Sequence, residues 1–170
     1  MEDLVRDLTE ADWPEVAALE AEAYADTSLT EGEAVLRSRA SAGTCFVLDV
    51  DGRIAGYALA LPYPRFSCPD LSRPEQPVHR LPGLSNLHLH DLAVARPLRR
   101  RGLGTRMVRH LTDAARLRGF ATMSLIAVLG RESFWRAHGY RPHHETPLPA
   151  GYGAGAVYMS APVAAVRKAG

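Results

Sequence analysis

The chain has 170 residues, 46% of them hydrophobic and 23% charged, which is ordinary for one globular domain with a real core. A net charge of +1 excludes binding to nucleic acid carried by bulk charge alone. No apolar run approaches a membrane span, and the acidic start Met1-Glu2-Asp3 lacks the apolar region of a signal peptide, so a cytoplasmic location is expected.

Residues 3 to 8 carry Leu4, Val5 and Leu8 and read as a short first strand. Residues 10 to 25 follow a helical pattern with Val16, Leu19, Ala23 and Tyr24 inward, and Asp12 with Pro14 fits its start. Thr30-Glu31-Gly32-Glu33 has the form of a capping box, which predicts a second helix from about Glu31 to Ser41. Cys45 sits in an apolar run and reads as core. With Cys68 it makes one pair at most and no Cys-x-x-Cys, so no disulfide framework is expected. Residues 46–50 and 54–59 are apolar runs flanking Asp51-Gly52, the strongest short hairpin signal, and predict two antiparallel strands.

Residues 62 to 84 break this pattern. Prolines at 62, 64, 69, 74, 77 and 82 forbid a regular element and define a proline-rich loop (65–84), with Tyr63 and Phe66 near its start. So long a loop in a compact domain is uncommon and often functional. It leads straight into the next strand, and part of it is expected to wall a substrate site.

That strand begins at Leu87. Leu87 and Leu89 alternate with His88 and His90, which puts both histidines on one face. The alternation slips at Asp91, either through a β-bulge or because a loop starts there. An amphipathic helix follows, with Leu103, Met107, Leu111, Ala114 and Ala115 on one stripe and Gly119 just past its end. Arg99, Arg100 and Arg101 stand immediately before this helix, where the helix dipole is already positive. Cations there cost stability unless an anion arrives. Gly102 and Gly104 clear side chains from the backbone N–H groups such an anion would approach. The stretch therefore reads as an anion site, most simply for phosphate. Residues 123–128 read as a strand, 132–138 as a short helix closed by Gly139, and 152–163 as holding a final strand with Val157 and Met159 on one face. Residues 164–170 are expected to fray. One domain, 1–170, is expected.

Arg99-Arg100-Arg101-Gly102-Leu103-Gly104 matches the Arg/Gln-x-x-Gly-x-Gly/Ala motif of the GNAT superfamily of acyl-CoA N-acyltransferases. His88-Leu89-His90-Asp91-Leu92-Ala93-Val94 resembles the paired-histidine strand of its arylalkylamine (serotonin) N-acetyltransferase branch, and the close likeness runs from about residue 87 to 140. The resemblance implies an α/β fold with a mixed, mostly antiparallel central sheet and helices on both faces. It implies acetyl transfer from acetyl-CoA to a primary amine by direct attack in a ternary complex, a small arylalkylamine-like amine being favoured. Protein N-termini, lysines or other small amines are alternative acceptors. A non-catalytic acyl-CoA-binding module and a nucleic-acid binder using the arginine loop remain as other classes.

The site residues follow by the same resemblance. His88 and His90 would supply the general base an amine needs, since it arrives protonated. The N–H of Leu92 would face the thioester carbonyl and stabilise the oxyanion. Leu92, Ala93, Val94, Arg99, Arg100, Arg101, Gly102, Leu103, Gly104 and Thr105 would bind the cofactor, with the N–H groups of Arg100 to Thr105 around its pyrophosphate. Many family members carry a tyrosine acid four residues before the glycine; here that position is Trp135, which is expected instead to pack against the pantetheine arm or acetyl group. His79, His143 and His144 add to the histidine pair, but no metal-ligand spacing supports them and no metal is expected. Neither nucleic acid nor membrane is expected as a partner, and the oligomeric state stays open, a homodimer being compatible.

Overall fold

The structure is a computed structural model that describes residues 2–76 and 83–164. Pro77, His79, Pro82 and the tail beyond Ala164 lie outside the described residues. Seven strands form a single sheet: β1 (Asp3–Asp7), β2 (Cys45–Val50), β3 (Arg53–Pro62), β4 (Asn86–Val94), β5 (Thr122–Ala127), β6 (Arg141–His143) and β7 (Val157–Pro162). Their order is β1-β2-β3-β4-β5-β7-β6, open at both edges. Every described pair is antiparallel except β4 with β5. The hairpin between β2 and β3 turns on Asp51 and Gly52, both at positive φ (51° and 83°), as the sequence predicts.

Four helices cover the sheet: α1 (Trp13–Ala23), α2 (Glu33–Ser38), α3 (Leu103–Leu117) and α4 (Glu132–Ala137). The period-two alternation of the strands sorts their side chains into two cores. Phe46, Leu48, Leu87, Leu89, Leu125 and Met159 pack with Leu103, Met107, Leu111 and Ala115 of α3 and with Trp135 of α4. Cys45, Val47, Tyr57, Leu59 and Ala93 face the other way and pack with Trp13, Val16 and Leu19 of α1 and Leu36 of α2. Leu111 is fully buried, so truncating it to alanine should cost about 2–5 kcal/mol. Gly56 of β3 allows the close approach of strand and helix. A Cβ there would lie 2.9 Å from the Ala93 carbonyl and 3.2 Å from Met107 Sδ.

The structure departs from the sequence expectations at the second helix. α2 begins at Glu33, with Gly32 as its N-cap at φ +87°, and no side chain caps it. The Thr30 hydroxyl instead donates to the Tyr24 carbonyl at 3.1 Å. The Glu20 carboxylate accepts the N–H groups of Glu31 and Gly32, at 2.8 and 3.3 Å, which delays the helix start. Glu31 is thereby left outside the helix and turns inward. At the other end α2 stops at Ser38, and its C-cap Arg39 buries its side chain. Strand β6, three residues long, is too short to leave a pattern in the sequence.

Two irregularities of β4 make the site. Leu59 pairs with Asp91 and Ala60 with Leu89, so His90 is the extra residue of a β-bulge. Parallel pairing with β5 stops at Leu89 and Leu125, while β3 holds β4 as far as Val94 and β7 holds β5 as far as Ala127. The sheet is therefore split between the ends of β4 and β5.

Candidate active site

A cavity of about 510 Å³ fills this split, within the range of small-molecule sites. One wall is the turn into α3. Arg100 and Gly102 lie at positive φ, 64° and 76°, and Gly102 is the N-cap. The first intrahelical bond runs from the Arg106 N–H to the Gly102 carbonyl at 3.0 Å, so the N–H groups of Leu103, Gly104 and Thr105 have no helical acceptor. Gly102, Leu103, Gly104 and Thr105 all line the cavity, as do Arg99 and Arg100. Arg131, just before α4, lines it too. None of these three arginines has a carboxylate partner among the described residues. N–H groups without helical acceptors, a positive helix end and guanidiniums without carboxylate partners suit the phosphates of a coenzyme A. Trp135 is buried, lines the same cavity, and packs edge-on against Phe134 and Tyr140 at 4.9 and 5.5 Å. Tyr140 is not on the cavity. Its hydroxyl is buried, 3.8 Å from Met123 Sδ, and burial pushes it well above the usual phenol range.

The opposite wall is polar and assembled from distant segments. The bulge puts His90 and Asp91, adjacent in sequence, on the same wall. The Asp91 carboxylate accepts the hydroxyls of Tyr24 at 2.6 Å and Tyr57 at 2.7 Å. Burial raises its pKa above the ordinary carboxylate range, against the opposing effects of His90 and the two hydroxyls. His90 Nε2 is hydrogen-bonded to Glu31 Oε1, and the two side chains are 2% and 3% exposed. Burial alone would raise the Glu31 carboxyl, but the bonds and charges of His90 and Arg39 outweigh it and hold Glu31 below its ordinary value. An ionised carboxylate can only accept. A neutral ring donates to that carboxylate through Nε2 and keeps its lone pair on Nδ1. That Nδ1 is buried and has no hydrogen-bond partner among the described residues. Leu29, Leu71 and Tyr152 complete this end, and Leu71 belongs to the proline-rich segment.

The sequence-selected residues divide accordingly. His90, Leu92, Val94, Arg99, Arg100, Gly102, Leu103, Gly104, Thr105 and Trp135 line the cavity. His88, Ala93 and Arg101 do not. Ala93 is buried against α1 in the second core, and Arg101 is exposed to solvent. His88 is buried one step back from the bulge, with Nδ1 2.8 Å from Ser124 Oγ. Asn86 Nδ2 donates to the same Ser124 oxygen at 2.9 Å. Burial, then repulsion from His90, pushes the His88 pKa down to about 3. Sequence reasoning missed Tyr24, Glu31, Asp91, Arg131, Phe134 and Tyr152. Arg131 stands four residues before Trp135, a helical spacing that could have found it. The slip in alternation had marked Asp91 without giving it a role. No sequence signal identifies Glu31. Among the described residues no cluster of three or more His, Cys, Asp or Glu side chains could hold a metal, and no helix is long and apolar enough to cross a membrane.

A split mixed sheet, a glycine turn opening a helix at the split and a cavity between them define the class of α/β protein to which the chain is compared. The profile of the acetyltransferase (GNAT) family matches residues 3–140, and the chain belongs to that family. Solved structures agree on the fold. The loading GNATL domain of CurA from Lyngbya majuscula superposes with a TM-score of 0.76 at 14% identity, over 96% of this chain and 98% of that one. The ribosomal-protein-S18-alanine N-acetyltransferase from Escherichia coli gives 0.67 at 21% identity, over 99% and 97%. N-acetylglutamate synthase from Neisseria gonorrhoeae, complexed with coenzyme A and N-acetyl-glutamate, gives 0.71 at 18% identity, over 96% of this chain and 36% of that one. No curated protein matches the chain by sequence.

Proposed function

We propose that this protein transfers an acetyl group from acetyl-CoA to the primary amine of a small molecule by direct attack in a ternary complex. The observation that carries the proposal is the Glu31–His90 pair, with Nε2 committed to the carboxylate and Nδ1 unpartnered, on a cavity whose other wall suits a coenzyme A. An alkylamine with a pKa near 10 is mostly protonated at neutral pH and cannot attack a thioester until it loses a proton. His90 Nδ1 takes that proton, directly or through one water. With His90 neutral, the buried group Glu31, Arg39, Glu75 and His90 carries one net negative charge, and the proton cancels it. Leu92, on the edge of β4 that β5 has left, offers its N–H to the thioester carbonyl oxygen, where a fixed donor favours the developing charge. The glycine turn, Arg99, Arg100 and Arg131 hold the phosphates, and Trp135 packs against the pantetheine arm. The departing thiolate, with a solution pKa near 8.5, leaves without an essential side-chain acid.

Tyr24, Leu29, Leu71 and Tyr152 give the acceptor end an aromatic and apolar lining, which favours a small arylalkylamine-like amine. Protein N-termini or lysines are the second reading for the acceptor. The proline-rich segment argues against it: the Tyr152 hydroxyl donates to the Pro69 carbonyl at 2.6 Å and ties the segment down at this end. A histidine on the cavity with an unpartnered ring nitrogen favours catalysis over a non-catalytic acyl-CoA-binding module. The test is thiol release from acetyl-CoA across a panel of small arylalkylamines, other small amines, and peptides with a free N-terminus or lysine. The highest kcat/KM is expected among the arylalkylamines. A preference for peptides overturns the acceptor assignment, and tight CoA binding without turnover on any amine overturns catalysis.

A further inference from the structure

Arg39 is the most deeply buried cation of the described chain, with a side chain 1% exposed. A charge in that position survives only if its donors are satisfied. They are, by two different parts of the molecule. Nε and Nη2 donate to Glu31 Oε2 at 3.2 and 2.8 Å. Nη1 donates to Glu75 Oε2 at 3.0 Å, and Nη2 also donates to the carbonyls of Asp70 and Arg73, each at 2.9 Å. One guanidinium thus joins the carboxylate that holds His90 to the proline-rich segment that supplies Leu71 to the cavity.

The two oxygens of Glu31 are divided between these duties: Oε2 faces Arg39 and Oε1 faces His90. Its backbone is pinned as well, through its N–H to Glu20. Glu75 is fixed in turn by its N–H to Ser38 Oγ at 2.9 Å and by the Tyr63 hydroxyl at 3.3 Å. We infer that Arg39 is a positioning residue: it fixes Glu31, and through it the proton on Nε2 of His90, and makes that arrangement depend on the seating of residues 70–75. The inference rests on the proposed base.

The chemistry of losing Arg39 is specific. Other groups around Glu31 and His90 are Glu20 on α1, Asp91 and His88 on β4, Glu75 on the segment, and Tyr152. None of them is a cation. Loss of the guanidinium removes part of what opposes burial, so the Glu31 carboxyl shifts up toward protonation. A protonated carboxyl donates to Nε2, the ring proton moves to Nδ1, and the base is lost with the fold intact. Lysine keeps a charge but cannot reproduce a planar fork that serves two carboxylates and two carbonyls.

The experiment uses the full chain with Arg39→Lys and Arg39→Gln. Coenzyme A affinity by calorimetry should stay within about twofold of wild type, because the glycine turn is untouched. Turnover of the best amine should fall about tenfold for lysine and about a hundredfold for glutamine, the scale of a misplaced catalytic group, with a smaller change in KM. Protein labelled with 15N-histidine, with the His90 signal assigned by its loss in His90→Gln, should show Nε2–H in wild type and a shift toward Nδ1–H in Arg39→Gln. Unchanged turnover and tautomer in both variants overturn the inference. So does parallel loss of turnover and coenzyme A affinity in both, or unfolding of both, since a purely structural arginine predicts that. The ring signal needs no turnover, so failure of wild type to acetylate any amine would sink the proposed function while the tautomer still decides the role of Arg39.

Discussion

The glycine turn that forms most of one wall comes from a single short stretch between Arg99 and Thr105, with Arg131 and Trp135 beside it, whereas the histidine wall draws Tyr24 from the end of α1, Glu31 from before α2, His90 and Asp91 from β4 and Leu71 from the proline-rich segment. The first wall works through backbone N–H groups and positive φ, which local sequence dictates. The second works through side chains that meet only because the chain folds: Glu31 and His90 are 59 residues apart. A wall written locally tolerates side-chain change wherever the backbone survives. A wall assembled at long range fails when one member is removed, because each buried polar group depends on the next.

The largest expected effect breaks the glycine-turn wall by charge. A Cβ on Gly104 would meet only Phe134 Cζ at 3.7 Å, ordinary contact, so side chains fit there. Gly104→Glu places a carboxylate beside the proposed phosphates. Two like charges about 4 Å apart at an effective dielectric of about 20 cost about 4 kcal/mol, about a thousandfold in affinity. Gly104→Gln, with the same bulk and no charge, should bind coenzyme A far better. Calorimetry on the pair decides, and equal affinities would mean that no phosphate sits at this turn.

The histidine wall should fail in chemistry and not in cofactor binding. His90→Gln should lower turnover at neutral pH by about a hundredfold or more, the contribution of a general base. The deficit should shrink as pH rises and free amine becomes abundant. Coenzyme A affinity should hold. Glu31→Gln should give a similar loss, because an amide can donate to Nε2 and so free the wrong ring nitrogen. pH–rate profiles of both variants test this, and a wild-type rate across pH in His90→Gln would remove the base from the mechanism.

The same contrast explains what was legible in the sequence. The order of elements apart from β6, the Asp51-Gly52 hairpin, the stripe of α3 and the glycine turn rest on periodicity or local backbone demands, and the structure contains each of them. The slip at Asp91 marked the bulge because alternation in a strand is also local. Glu31 was read as part of a capping box, and the local pattern does favour that. Tertiary bonds from Glu20, Arg39 and His90 overrode it. The paired histidines looked equivalent by alternation, and only the bulge and the splitting of β4 from β5 separate the one on the cavity from the one behind it.

A smaller effect is expected at Trp135, where the glycine-turn wall uses a side chain. The indole is 8% exposed and lines the cavity beside Phe134. Trp135→Phe trims contact surface without opening the site and should weaken acetyl-CoA binding by about tenfold, about 1.4 kcal/mol, with turnover at saturation nearly kept. Trp135→Tyr should retain activity. Steady-state kinetics against acetyl-CoA measure both, and a large fall in turnover for Trp135→Phe with affinity intact would give the indole a chemical role.

The smallest effect on turnover is expected at His88, and it sharpens the comparison within the histidine wall itself. His88 does not line the cavity and is hydrogen-bonded to Ser124 behind it, so His88→Gln should change turnover by less than about twofold, far below the general-base scale expected for His90. Its signature lies in stability. Burial holds its folded pKa at about 3 against an ordinary 6.5. Between those values the unfolded chain binds a proton that the folded ring refuses. The contribution of the neutral ring is therefore complete above about pH 6.5 and is lost as pH falls toward about 3. The slope is about 1.4 kcal/mol per pH unit for one proton. A glutamine has no proton to take up, so the stability difference between wild type and His88→Gln should drift against wild type as pH drops from 7 to 4. Other acid-sensitive groups titrate in both proteins and cancel in that difference. Urea unfolding of the two proteins at several pH values in this range gives the measurement. Parallel stability curves would mean that His88 takes up a proton as readily in the folded protein as in the unfolded chain, and its place behind the site would then need a different account.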